Sequence, residues 1–175
     1  MLHAVYRCGV VTTVTSVLLW AAATAAIPAE PENTIRIRSD ALETDIEGNT
    51  AEFSSNVRVE RGDAWMEADR LKLYYRRDQR LEAPQQFEAA GVEKIEARGE
   101  VRIRYRAISA FADRAVYDPG TDTLTMEGDN TRVARGENSI SGARIELKGA
   151  DNDMTVVGDG KRRVTAVIAA GSGWF

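Results

Sequence analysis

The sequence predicts an all-β fold made of repeated strand–turn–strand units. Three observations carry this. Apolar or small residues recur with a period of two, as in Val57/Val59, Leu71/Leu73, Val101/Ile103, Leu124/Met126 and Ile145/Leu147. That is the spacing of strands with one face toward a core. Turn signals separate these runs at Glu47-Gly48-Asn49, Arg61-Gly62-Asp63, Asp118-Pro119-Gly120, Glu127-Gly128-Asp129 and Arg135-Gly136-Glu137. Finally, the chain repeats itself. Ala68-Asp69-Arg70 returns 44 positions on at Ala112-Asp113-Arg114, and Val57-Arg58-Val59 returns at the same offset as Val101-Arg102-Ile103.

Taken in chain order, the first segment stands apart. Residues 1–26 carry one arginine, Arg7, an apolar run from about Val10 to Ala23, and the small-residue pattern Ala23-Thr24-Ala25. This predicts a cleaved secretory signal peptide. The rival reading is a retained membrane anchor, but the run is shorter than the roughly 18 residues a span needs. The only cysteine, Cys8, and the only histidine, His3, fall inside the segment. Without it the basic residues drop from 23 to 22 against 27 acidic ones, a net charge of −5. The remaining residues, 27–170, read as one domain and 171–175 as a flexible tail. The whole chain of 175 residues is 43% hydrophobic, enough for a single core.

Within the domain, a partial copy comes first: Ser39–Phe53 matches Ala112–Met126 in its strand, turn, strand order. The full copies follow. In the third, "TRVARGE" at Thr131–Glu137 answers "VRVERGD" at Val57–Asp63, and Gly142-Ala143-Arg144 stands for Ala-Asp-Arg. The inward candidates are Met66 and Ala68, then Ala110 and Ala112, then Ile140 and Gly142. Beyond the motif they continue as Leu71 and Leu73, Ala115 and Tyr117, Ile145 and Leu147. From Ala68 to Leu71 is three residues, an odd step that flips faces unless the strand bulges or turns a corner. The Ala-Asp-Arg motif is therefore expected to be a bend rather than a catalytic pair. Pro84–Ala97 is ambiguous and could form a short helix, and Gly158–Lys161 is expected to be a hairpin turn.

Chemistry is sparse. With the leader removed there is no thiol and no imidazole, which excludes Ser-His triads, cysteine nucleophiles and His- or Cys-based zinc sites. A two-carboxylate hydrolase stays formally open, but the acidic residues fall mainly at turns and on outward strand positions. Asp151-Asn152-Asp153 lacks the glycine and glutamate of a calcium loop. The acidic balance gives no footprint for nucleic acid. No enzyme activity, metal or cofactor is expected. Arg102, Arg104 and Arg106 alternate along a strand. They read either as a solvated face that resists edge pairing or as a stripe for an anionic head group.

Several short motifs occur in a telling order: "I-x-I-x-S-D" at Ile35–Asp40, "G-N-x-A-x-F" at Gly48–Phe53, "N-V-x-V" at Asn56–Val59, "A-D-x-L" at Ala68–Leu71, and "G-K-R-R-V-T-A-V" at Gly160–Val167. In this order the chain resembles the OstA-like family of lipopolysaccharide-transport proteins, from about Ile35 to about Ile168. The resemblance implies an open β-jellyroll of two antiparallel sheets in a V. It also implies a non-enzymatic periplasmic carrier that bridges the inner and outer membranes. Lipid A acyl chains would lie between the sheets against Ile35, Ile37, Phe53, Met66, Ala68, Leu71, Leu73, Phe87, Tyr117, Met126 and Ile145. Val164, Ala166 and Ile168 would form a C-terminal edge for partner docking. The implied partners are lipopolysaccharide, an inner-membrane component with the same domain, an outer-membrane translocon, and further copies of the chain joined head to tail. Two alternatives stay open at this stage: an inner-membrane-anchored member of the same family, and a structural β-repeat filament that binds no lipid. The segment from about Arg76 to Glu100 is longer and more charged than the family pattern, which leaves the role of Phe87 open.

Overall fold

The computed structural model describes residues 34–76, 91–149 and 153–170. The signal-peptide expectation, Phe87, most of the ambiguous segment before Val92, and the tail 171–175 lie outside the described residues.

Apart from Gly91, which has 3₁₀ geometry, the described residues form strands, turns and their connections. In chain order the strands are β1 (Arg36–Arg38), β2 (Ala41–Asp45), β3 (Thr50–Arg61), β4 (Ala64–Tyr75), β5 (Val92–Tyr105) and β6 (Ile108–Asp118). They continue as β7 (Thr123–Glu127), β8 (Arg132–Arg135), β9 (Asn138–Ser141), β10 (Arg144–Lys148), β11 (Asp153–Val157) and β12 (Thr165–Val167). All pairings are antiparallel. The expected helical alternative at Val92–Ala97 is overturned: this stretch is the first half of β5, paired with β4 and β6. Its two glutamates, Lys94 and Ala97 suit a helix locally, but two neighbouring ladders decide the outcome.

The twelve strands make one hydrogen-bonded sheet folded into two leaves. The long strands β3 to β6 run through both. In leaf A the strand order is β2-β3-β4-β5-β6-β7-β10-β11; in leaf B it is β1-β3-β4-β5-β6-β8-β9-β12. This is an open β-jellyroll, with the two expected sheets continuous through a shared corner.

That corner is where Ala-Asp-Arg sits. Between β3 and β4 the register jumps from Ser54↔Arg70 to Val57↔Ala68, so Ser55 and Asn56 oppose Asp69 alone. Between β5 and β6 it jumps from Arg98↔Arg114 to Val101↔Ala112, so Gly99 and Glu100 oppose Asp113. Two residues against one is the definition of a bulge, and it bends the strand. The extra pairs take left-handed backbone, with φ of 64° and 53° at Ser55 and Asn56, and 80° and 41° at Gly99 and Glu100. The aspartates seat the bend. Asp113 Oδ2 accepts the Asp129 N–H at 2.6 Å, and Asp40, at the matching place before β2, accepts from Asn56 Nδ2 at 2.6 Å. The Asp69 carboxylate lies directly over Gly99, where an added Cβ would stand 2.1 Å from Oδ2. Later crossings interrupt the strand outright: β9 ends at Ser141 and β10 starts at Arg144. Gly158–Lys161 belongs to such a crossing. It is a turn, capped by Asp159 Oδ1, which accepts the N–H groups of Lys161 and Arg162. It is not the expected hairpin, because β11 pairs with β10 and β12 with β9.

The core follows the corner. Val57, Leu71, Val101, Met126 and Ile145 are essentially without exposed surface, and Ala68 and Ala112 pack among them. Among the described residues, no buried side-chain polar atom lacks a partner.

The outer face of leaf A carries an ion-pair ladder. Arg98 and Arg114 stand in register opposite each other and would repel. Glu96 lies beside both. Its carboxylate accepts from Arg114 Nε at 2.7 Å, Arg98 Nε at 2.8 Å and the Tyr74 hydroxyl at 3.1 Å, and its side chain is only 5% exposed. The ladder continues through Arg114–Glu127 and Arg144–Glu127, at 3.0 and 2.9 Å. Burial alone would push the Glu96 carboxyl up. The hydrogen bonds from Arg114, Arg98 and Tyr74 and the charge of Arg114 outweigh it and hold the group at about 2.

Two outcomes are expected. Gly99→Ala should destabilise the protein by about 2 kcal/mol, combining left-handed strain with the clash against Asp69. In a double-mutant cycle, Asp69→Ala should relieve part of that loss. Strictly additive single and double variants, read by urea unfolding, would contradict the seating of Asp69 on Gly99. For Glu96 the folded value lies below the ordinary 4.5, so its contribution is complete above pH 4.5 and fades as the pH falls toward 2. Glu96→Gln should cost about 2–3 kcal/mol at neutral pH and flatten the stability profile across that window. A variant profile parallel to the parent's between those pH values would contradict the assignment.

Candidate lipid-binding trough

Residues that pair directly across antiparallel strands share a face, so the registers assemble the inner surface. On leaf A, Phe53, Leu71, Ala97, Ala115, Met126 and Ile145 stand in one row, with Leu42 and Val156 at its ends. The next row away from the corner runs Ala51, Leu73, Ile95, Tyr117, Leu124 and Leu147 and ends at Met154. On leaf B, Ile37, Val59, Met66, Ile103, Ala110 and Val133 continue to Ile140 and Ala166. At about 4.8 Å spacing the first and third rows, over eight strands, are about 34 Å long, and the second, over seven, about 29 Å. No charged side chain interrupts any of the three.

The rows differ in burial. At the corner the small residues are packed shut: Ala68 and Ala112, with Leu71, Leu73, Met126 and Ile145, form a closed floor. Ile37, Phe53, Val59, Met66, Ile95, Ile103, Leu124, Val133 and Leu147 pack against that floor yet remain partly exposed. In a sealed sandwich such inward rows would be covered from across. Here they are only partly covered. The expected site residues therefore separate into two sets. Ala68, Leu71, Leu73, Met126 and Ile145 are the floor; Ile37, Phe53, Met66 and Tyr117 are walls. Ile35 lies just before β1 at the open end and is 45% exposed.

Reading the sequence alone missed Val59, Ile95, Ile103, Leu124, Val133 and Leu147 as walls. Their signal was present in the same alternation, but nothing in the pattern says which inward residues are left uncovered.

Tyr117 gives the wall a polar rim. Its ring belongs to the inner row, while its hydroxyl reaches Asp122 Oδ1 at 2.9 Å in the β6–β7 turn. Burial, then the bond to Asp122, pushes the phenol up, so it stays neutral. Among the described residues no cluster of three or more His, Cys, Asp or Glu side chains is placed to hold a metal.

The two ends of the trough are open edges. Leu42 and Ile46 are exposed on and just beyond β2, and Met154 and Val157 on β11. The expected C-terminal edge is shorter than Val164–Ile168. Strand β12 is Thr165–Val167, three residues paired with β9, with Val164 and Ile168 flanking it, 47% and 77% exposed. Ala166 is the inward residue of the three. Arg102 and Arg104 point outward on β5 and are exposed, whereas Arg106 leaves their line in the two-residue turn to β6 at φ 53°.

Comparison with known proteins agrees with this architecture. No curated protein matches the chain by sequence. A crystal structure of LptH from Pseudomonas aeruginosa superposes with a TM-score of 0.64 at 15% identity, covering 82% of this chain and 100% of that one. That protein is described as the LptA-homologous periplasmic component of the conserved lipopolysaccharide transport device. The likeness establishes the fold. The model of the family described as LptA/(LptD N-terminal domain) LPS transport protein matches residues 36–153, well over half the chain. The chain is therefore a member of the LptA/LptD N-terminal-domain family of lipopolysaccharide-transport proteins.

Proposed function

We propose that this protein is a non-enzymatic periplasmic carrier. It holds the acyl chains of lipopolysaccharide in the trough and conducts the lipid from the inner to the outer membrane. The observation that carries this reading is the partial exposure of apolar rows that face inward along every strand of both leaves. Each exposed CH₂ costs about 0.8 kcal/mol in water. A multi-chained lipid therefore needs a continuous apolar path, and three parallel rows supply one with no charge to cross. The floor residues give the path a fixed base, and the walls slide along the chains without a deep well to trap them. The polar rim at Tyr117 and Asp122 suits sugars that stay in water.

The open edges support head-to-tail joining. Exposed strands at both ends offer unpaired backbone groups to a second copy or to a related domain at either membrane. Ile35 and Ile37 lie at one end, and Val164, Ala166 and Ile168 at the other. An inner-membrane-anchored member of the same family remains the second reading. N-terminal sequencing of the exported protein separates the two, since a start at Met1 belongs to the anchored form.

Photo-crosslinking tests the carrier. A photoreactive residue at Phe53, Tyr117 or Leu124 should label lipopolysaccharide in cells. One at Thr125, on the outer face of the same leaf, should not. Equal labelling from Thr125 and its neighbour Leu124, or none from any wall position, would sink the proposal. The second of these outcomes would favour a filament without lipid.

A further inference from the structure

The two leaves differ on their outer faces. Leaf A mixes signs, with Lys72 beside Glu52, Glu96 between Arg98 and Arg114, and Glu127 between Arg114 and Arg144. Leaf B does not. Its outward positions carry Arg36, Arg38, Arg58, Arg102, Arg104 and Arg132, against two carboxylates, Glu60 and Glu67. Glu60 is shared by Arg38 and Arg58, Glu67 bonds Arg58, and Arg102 turns to Glu100 at the corner, at 2.8 Å. For Arg104 and Arg132 no partner exists among the described residues. Two aromatic side chains stand among these cations: Trp65, with the Arg58 guanidinium 5.0 Å from its ring centre, and Phe111, 39% exposed. A face built only to stay in water does not need them.

We propose that the outer face of leaf B docks the protein onto a bilayer surface bearing anionic phospholipid. Charge complementarity and shape argue for that occupant. The guanidinium groups are spread over six adjacent strands, about 24 Å at normal spacing. They do not converge on a pocket, so the matching partner is a plane of phosphates rather than one small anion. Every cation on the face is arginine, whose planar fork pairs with phosphate oxygens better than lysine does. Trp65 and Phe111 are suited to the headgroup region, where aromatic rings settle. The apolar rows lie on the opposite side of the same strands, so docking leaves the trough uncovered. A carrier lying on the membrane in this way could receive or release lipid at the surface, which goes beyond the reading of the trough.

The test is vesicle flotation with the exported protein purified from periplasmic extract. Vesicles of phosphatidylcholine with about 30% phosphatidylglycerol should carry the protein at about 50 mM salt and release it at about 300 mM, where screening shortens the reach of charge. Pure phosphatidylcholine vesicles should not carry it. The double reversal R102E/R104E, and the milder R104A/R132A, should weaken binding, the reversal by at least about tenfold. R70E/K148E, an equal charge change on leaf A, should leave binding within about twofold of the parent. Urea unfolding checks that all variants remain folded. No flotation with anionic vesicles, equal loss in both reversals, or equal binding to neutral vesicles would each overturn the proposal. Binding to lipopolysaccharide dispersions with none to phosphatidylglycerol vesicles would also overturn it, and would assign the face to the cargo's phosphates.

Discussion

Everything in this molecule depends on how its long strands turn the corner. A strand that bends without changing its residue count keeps its inward face inward only if the bend is gentle. A sharp bend needs an inserted residue, or its hydrophobic set passes to the wrong side. β3 and β5 insert a left-handed pair, Ser55-Asn56 and Gly99-Glu100, while β4 and β6 each contribute a single aspartate opposite it. The device is thus split between neighbouring strands. That explains why Val57 and Val101 on one kind of strand meet Ala68 and Ala112 on the other. Because hydrogen bonding continues on both sides of the bend, the leaves cannot slide past one another. The opening between them is set by the bulges.

The fixed corner also divides the apolar surface. Close to it, alanines let the leaves approach until Val57, Leu71 and Val101 are sealed. Two residues farther along several strands, the same alternation yields Val59, Met66, Leu124 and Ile103, which pack against the core yet stay partly exposed. One sequence pattern therefore produces both core and partly exposed wall, and what packs across each position decides which: Leu73 and Ala51 are buried, whereas Leu124 and Leu147 in the same row are not. This is why the walls were not legible in the sequence while the bend was. The odd step after Ala68 and Ala112 declares itself in the letters. The burial of Ile145 against the half-exposure of Leu147 depends on a leaf that is remote in the chain. The start of β5 was hidden for a related reason, since its local composition suits a helix and only its two partners make it a strand. Glu96 was hidden most fully. Its outward phase reads as solvated, yet two arginines and a tyrosine close over it.

Family resemblance supplied what periodicity lacked, namely that the two sheets stand open. The family match over residues 36–153 fixes the transport class, and the solved relative fixes the fold. Neither names the contact residues in this chain. Those come from the registers, which place each side chain on a face and in a row.

An open trough is costly. Apolar rows left in water forgo the burial that normally stabilises a sandwich, and the described residues contain no cysteine to form a disulfide. The period of two resolves the conflict. Along each strand every second residue is free for a different task, so stability can be built on the outside while the inside stays available. On leaf A the outside carries Glu96 and its arginines, a buried charge satisfied from several directions, together with the ladder through Glu127 and Arg144. On leaf B the outside is left with more cations than partners. If the outer faces served stability alone, selection for balanced cross-strand pairs should act on both leaves alike. The imbalance falls on the leaf whose outer rows also hold Trp65 and Phe111, and it leaves the inward row from Ile37 to Ala166 free of charge. On the readings proposed above, the two faces of one sheet answer to separate demands, a lipid within and a charged surface without.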